Sequence, residues 1–80
     1  MKFIELSLGS YMISHGYDAE NKEVLEYVTV EGFSKKLVPV SRIKSLSEKY
    51  ILTDYLDGRW IYWEYTGTFD EVKNKLVNLR

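Results

Sequence analysis

Apolar and polar positions alternate at the beginning of the chain. Every second residue from Ile4 to Leu8 is apolar, which is typical of a strand that buries one face. Gly9 and Ser10 interrupt this pattern, and residues 11–13 resume it. The alternation therefore predicts an N-terminal strand with a break after Leu8.

The segment 18–30 admits two interpretations. Asp18 is a residue type that caps helices, and the apolar residues that follow it are compatible with one helical face. Residues 26–32, in contrast, are rich in β-branched and aromatic side chains and end in a turn glycine. We favour a strand over residues 24–30.

Residues 36–46 predict a further strand with a bend. Pro39 lacks an amide hydrogen and therefore belongs at a sheet edge or a bend. Beyond Pro39 the apolar residues are three apart, so the period of two is lost. Residues 41–44 are accordingly predicted to form a turn or one helical turn.

A hairpin is the clearest local signal in the chain. Residues 50–56 and 59–65 are rich in aromatic and β-branched side chains, and Asp57-Gly58 between them is a hairpin turn sequence. With a two-residue turn, one face would carry Leu52, Asp54, Leu56, Arg59, Ile61 and Trp63. The other face would carry Ile51, Thr53, Tyr55, Trp60, Tyr62 and Glu64. We expect Ile61 and Trp63 to point inward, and Trp60 and Tyr62 outward.

The C-terminal segment predicts a helix. Thr68 and Glu71 have the spacing of a capping box. Val72, Leu76 and Leu79 follow at helical spacing and would form an apolar stripe against the sheet.

Together these elements predict an α+β fold. We expect a small antiparallel β-sheet or partly open barrel of four to five strands, with one C-terminal helix. A chain of 80 residues has room for one hydrophobic core. Residues 1–80 are therefore predicted to form a single domain.

Composition argues against an enzyme or a cofactor-binding protein. The chain has no cysteine and one histidine, His15, and its five glycines are scattered singly. Thiolate chemistry, a histidine-based metal site within one chain and a phosphate-binding loop are therefore not expected. We predict no catalytic, cofactor-binding or metal-binding residues. No apolar run approaches ~18 residues, and we expect a protein of the bacterial or host-cell cytoplasm without membrane contact.

Charge is balanced overall but divided along the chain. Twelve acidic and eleven basic residues give a net charge of −1. Five acids lie in residues 18–31 against Lys22, and five bases lie in residues 35–49 against Glu48. These blocks are either solvated faces or a bipolar surface that orients a partner or pairs with a second copy.

From residue 36 onward the order of elements resembles the flagellar FlbD-like group of short bacterial and phage proteins. The matching pieces are Leu37-Val38-Pro39-Val40, Ile43 and Leu46, residues 50–56, Asp57-Gly58-Arg59, residues 61–64 and Phe69-Asp70-Glu71-Val72. Phe3-Ile4-Glu5-Leu6 would supply the first strand, and residues from about 9 to 35 would be an insertion. The resemblance implies a small β-rich accessory protein without catalytic residues.

The aromatic residues are concentrated near the hairpin. Seven of the twelve lie in residues 50–69, and a core with cross-strand pairs accounts for one face of them. Exposed aromatic and arginine side chains on the other face would have the composition of a protein-interface hot spot. The predicted partner-binding residues are Tyr55, Arg59, Trp60 and Tyr62.

Two functional hypotheses follow. The first is a protein-binding module, a phage-type or accessory regulator that docks an aromatic strand face or a sheet edge on a host or bacterial protein. Formation of a homo-oligomer through the same surface is a variant of it. The alternative is a single-stranded nucleic-acid-binding β-barrel, in which aromatic residues stack on bases. Its backbone contacts would come from Lys35, Lys36, Arg42, Lys44 and Lys49.

Overall fold

A computed structural model describes residues 2–78 as an antiparallel sheet with one C-terminal helix. The strands are β1 (Phe3–Tyr17), β2 (Glu23–Val28), β3 (Ser34–Pro39), β4 (Ile43–Leu46), β5 (Tyr50–Asp54) and β6 (Trp60–Tyr65), and the helix is α1 (Phe69–Val77). The predicted α+β class is confirmed. The described residues form six strands rather than four to five, because a 3₁₀ turn at Val40–Arg42 divides the predicted strand 36–46 into β3 and β4.

The sheet is curved but open. Its strands follow the order β2-β1-β6-β5-β4, and β3 pairs with the N-terminal half of β1. Within residues 2–78 no backbone pairing joins β3 to β4, so the sheet does not close into a barrel. We call this gap between β3 and β4 the seam.

Strand β1 is continuous, contrary to the predicted break at Gly9 and Ser10. The pairing of β1 with β6 instead changes register between Leu8 and Tyr11. This irregularity is a β-bulge, and it shifts the inward-facing positions from even to odd numbers. Leu8 and Ile13 are therefore both buried, although they are an odd number of residues apart.

Glycine at position 9 is required by packing at the bulge. A Cβ atom there would lie 2.8 Å from the Phe33 ring. The aromatic ring therefore covers the backbone at the point where β1 changes register.

The ambiguous segment after β1 is a strand, as favoured from its composition. It spans Glu23–Val28 and pairs with the C-terminal half of β1. Asp18 does cap local structure, but the structure is the turn between β1 and β2. Its Oδ1 accepts hydrogen bonds from the amides of Glu20 at 2.9 Å and Lys22 at 3.0 Å.

The predicted hairpin is present, but its two-residue turn is wrong. Thr53 pairs with Ile61, and Asp54 pairs with Trp60, so five residues connect the strands. The connection contains a 3₁₀ turn at Leu56–Gly58. Because the pairing is shifted by one residue, the faces predicted for β5 are exchanged.

The shifted register changes which β5 residues reach the core. Ile51 and Thr53 share the face of Ile61, and all three are buried. Leu52 instead lies beside Tyr62. The inward position of Ile61 on β6 agrees with the prediction, because alternation within one strand does not depend on the turn.

One face of the sheet carries the principal core. Buried side chains from β1, β5 and β6 pack there against Val72 of the helix: Ile4, Leu6, Leu8, Ile51 and Tyr65. The Tyr65 hydroxyl donates to the Ser47 carbonyl at 2.6 Å. We call this side of the sheet the core face.

The helix begins as predicted. The Glu71 amide donates to Thr68 Oγ1 at 3.1 Å, and the Thr68 amide donates to Glu71 Oε1 at 3.4 Å. Lys75 Nζ donates to the Glu5 carbonyl at 3.3 Å, which connects the last turn to β1. Of the predicted apolar stripe, Val72 and Leu76 pack on the core, and Leu79 lies outside the described residues.

Two valines of α1 test the role of the helix. Val72 is 2% exposed and Val77 is 48% exposed. We expect Val72→Ala to lower the free energy of unfolding by about 2 kcal/mol, because it removes buried methyl groups and leaves a cavity. The matched change Val77→Ala is expected to cost less than about 0.5 kcal/mol. Urea denaturation measures both values, and equal losses would contradict the packing of α1 described above.

Candidate partner-binding surfaces

The face of the sheet opposite the core face carries a row of large side chains. Tyr27, Met12, Tyr62 and Leu52 are successive cross-strand partners on β2, β1, β6 and β5. Antiparallel partners point to the same side of a sheet. The four side chains therefore form one apolar band across four strands. We call this side of the sheet the open face.

The open face is accessible at Tyr27 and at Trp60, whereas Leu52 at the β5 end of the band is buried. Tyr27 is 71% exposed, and Trp60 is 45% exposed. Trp60 lies in the neighbouring row, paired with Ser14 on β1 and Asp54 on β5. The helix packs on the other side of the sheet, where its Val72 joins the principal core. Aromatic side chains are thus presented on a surface that α1 does not cover.

A hydrogen-bonded cluster holds Tyr62 in the open face. Its hydroxyl donates to Glu23 Oε2 at 3.3 Å, and Ser14 Oγ donates to the same oxygen at 2.8 Å. Burial raises the pKa of Tyr62 above its ordinary value of 10.0, and the negative charge of Glu23 adds to the shift. Tyr62 therefore remains a neutral hydrogen-bond donor. Its ring also meets the Tyr50 ring edge-on, with centroids 6.2 Å apart.

The four predicted partner-binding residues do not form one patch. Trp60 and Tyr62 share the open face. Tyr55 and Arg59 lie in the hairpin connection, where the guanidinium is 5.1 Å from the Tyr55 ring centroid. Arg59 Nε also donates to the Leu56 carbonyl at 3.0 Å. Through these contacts the Arg59 side chain packs on the hairpin connection and not on the open face.

The five predicted nucleic-acid contacts are divided between surfaces. Lys44 lies 3.5 Å from the Asp54 carboxylate, and Lys49 lies 5.6 Å from the centroid of the Tyr50 ring, so both border the open face. Lys36 lies instead 4.8 Å from the Trp63 ring centroid. Lys35 precedes it on β3, and adjacent strand residues point to opposite faces.

Arg42, the fifth predicted base, donates to the Asp54 carbonyl at 3.2 Å. It lines a groove together with Lys36. The basic residues of the segment 35–49 therefore lie on two surfaces. They do not form one continuous row beside Trp60 and Tyr62.

The groove lies on the core face, beyond the part that α1 covers. It has a volume of about 370 Å³. Its apolar lining comes from β1, β3, β6 and the hairpin connection, namely Leu8, Leu37, Val38, Pro39, Leu56, Ile61 and Trp63. Tyr55 also lines it, which places this residue away from the open face.

Sequence reasoning missed the groove and three of the four residues of the apolar band, since the predicted two-residue turn placed Leu52 on the face of Ile61. Tyr27 lay in the segment whose structure was ambiguous, and Met12 follows the bulge that reverses the alternation. Leu37, which is 65% exposed, resembles an ordinary strand residue in the sequence. Its position in the groove depends on how β3 curves relative to β6.

The titratable residues give no sign of a metal centre. In the part of the chain that the structure describes, no group of three or more histidine, cysteine, aspartate or glutamate side chains could hold a metal ion. His15 Nε2 lies 2.9 Å from Glu26 Oε1. Among the described residues, the helix α1 is too short and too polar to cross a membrane.

Comparison with known proteins adds no relative. No protein-family model, no curated protein and no solved structure gives a significant match to this chain.

Tyr62 makes the stability of the fold depend on pH. Because the pKa of Tyr62 is raised in the folded state, its contribution to the free energy of unfolding is complete below about pH 10. This contribution is lost as pH rises through the folded pKa. We expect the free energy of unfolding to fall as pH rises above about 10, and to fall less steeply in Tyr62→Phe. Denaturation at several pH values measures the two slopes, and identical slopes would contradict this environment for Tyr62.

Proposed function

We propose that this protein is a non-enzymatic protein-binding module of the cytoplasm. It acts as an accessory regulator of phage or bacterial type and docks its open face on a host or bacterial protein. The observation that supports this proposal most strongly is the apolar band of Tyr27, Met12, Tyr62 and Leu52, with Trp60 beside it.

The composition of the open face favours a protein partner. Tryptophan, tyrosine and methionine are enriched in protein interfaces, and a few such residues carry most of the binding energy. Trp60 is the most exposed tryptophan of the chain and would be the central contact. The Tyr62 hydroxyl is already bonded to Glu23, which Ser14 also binds, so little side-chain freedom would be lost on binding.

Charged residues around the band would determine how a partner is oriented. Glu23 lies within the open face on the β2 side, whereas Lys44 and Lys49 border it on the β5 side. A partner with the opposite distribution of charge would be steered into one orientation. Pairing of two copies through this face, giving a homo-oligomer, is a variant of the same proposal.

The resemblance to the FlbD-like group accords with an accessory role but not with a shared partner. Residues 9–35, which would be an insertion relative to that group, supply Met12 and Tyr27 to the band. The partner would therefore recognise a surface formed in part by the inserted segment.

Removal of the exposed tryptophan tests the proposal. Trp60→Ala is expected to weaken partner capture by roughly tenfold or more, as loss of a hot-spot residue does. The fold is expected to persist, since Trp60 is 45% exposed. The measurement is a pull-down from bacterial lysate, with and without nuclease, using wild-type and mutant protein side by side.

An exposed valine of the helix provides the control. Val77→Ala changes an exposed apolar residue outside both the open face and the groove, and capture is expected to remain unchanged. A nuclease-resistant band that is lost only in Trp60→Ala supports the proposal. Bands that disappear with nuclease would instead favour the single-stranded nucleic-acid binder.

A further inference from the structure

The groove has an apolar floor between two different walls. Ile61 and Trp63 of β6 lie on the floor together with Leu8 of β1, one wall is β3, and the other is the hairpin connection that begins at Tyr55. The Trp63 ring is fixed by Tyr11, with centroids 4.4 Å apart. The floor is therefore formed before any ligand arrives.

The strand that forms one wall has a free edge. In residues 2–78, β3 pairs only with β1, and β4 across the seam pairs only with β5. An unpaired strand edge presents amide and carbonyl groups that an added extended segment can bind. Val38 on this strand pairs with the buried Ile4 and lines the groove, so apolar surface and free backbone occur together.

The charge at the rim is positive. Lys36 and Arg42 both line the groove, and neither forms a salt bridge with any described residue of the chain. Lys36 contacts the Trp63 ring and Arg42 donates to the Asp54 carbonyl, and both of these groups are uncharged. The one acidic residue in the lining, Asp54, pairs with Trp60, so its carboxylate lies on the open face, 3.5 Å from the Lys44 ammonium. The rim can therefore accept a negative charge.

We propose that the groove binds an extended, acidic segment of a partner protein. One apolar side chain of the segment occupies the floor over Ile61 and Trp63, and flanking carboxylates bind Lys36 and Arg42. The backbone of the segment follows the free edge of β3. This site is separate from the open face, and it does not depend on the function proposed above.

The shape and the charge of the groove together favour a peptide over a compact ligand. The groove is open along β3, and an extended chain gains main-chain hydrogen bonds there that a compact ligand does not. The positive rim disfavours a basic segment. A second copy of the chain, which carries five acids in residues 18–31, belongs to the same chemical class and would appear as self-association.

Selection from a random peptide library tests this proposal without knowledge of the partner. The full chain is used as bait, and enriched peptides are synthesised and titrated. We expect acidic residues on either side of an apolar one. Trp60→Phe leaves Trp63 as the only tryptophan of the chain, and its fluorescence is expected to change on binding because its ring lies on the floor.

Two adjacent lysines give a matched pair of charge reversals. Lys36→Glu places a negative charge in the groove and is expected to weaken peptide binding roughly tenfold or more. Lys35→Glu makes the same change one residue away, on the opposite side of β3, and is expected to alter affinity less than about twofold.

Three results would overturn the proposal. They are the failure of any peptide to be enriched, enriched peptides without acidic residues, and equal effects of Lys36→Glu and Lys35→Glu. Trp60→Ala distinguishes the two proposals, since it removes a side chain of the open face and is expected to leave peptide affinity unchanged. Loss of lysate capture in Trp60→Ala with no peptide binding at the groove would refute only the present inference.

Discussion

The β-bulge in β1 is the constraint on which the rest of the sheet depends. Without the register change between Leu8 and Tyr11, the two halves of this strand would present their apolar residues to opposite faces. With it, the first half pairs with β3, the second half pairs with β2, and both contribute buried residues on one side. Gly9 permits this geometry because it has no Cβ atom, and the Phe33 ring can therefore lie against its backbone.

Two accessible surfaces result from this single curved sheet. The helix covers only part of the core face, so the groove remains open between β3 and the hairpin connection. On the other side, the band from Tyr27 to Leu52 remains uncovered by α1 because that helix packs elsewhere. The exposed side chains of Tyr27 and Trp60 on one surface, and the apolar groove on the other, are the basis of the two binding roles proposed above.

Local signals in the sequence predicted local structure. The capping box of α1 and the alternation within β6 depend on neighbouring residues, and both agree with the structure. The hairpin register does not, because Asp57 and Gly58 lie inside a longer connection with a 3₁₀ turn. Alternation within β6 therefore predicts the correct side for Trp60. The two-residue turn does not predict that Tyr55 lines the groove. The groove itself depends on the path of β3 over β6, which no local pattern encodes.

The assignment of one tryptophan to each surface is the central claim, and acrylamide quenching tests it directly. Trp60→Phe and Trp63→Phe each leave a single tryptophan, and the neutral quencher avoids attraction to Lys36 beside Trp63. The structure predicts strong quenching of Trp60, which is 45% exposed, and weak quenching of Trp63, which packs against the core. Stronger quenching of Trp63 than of Trp60 would mean that Trp63, not Trp60, is the more exposed tryptophan. That result would contradict both proposed sites.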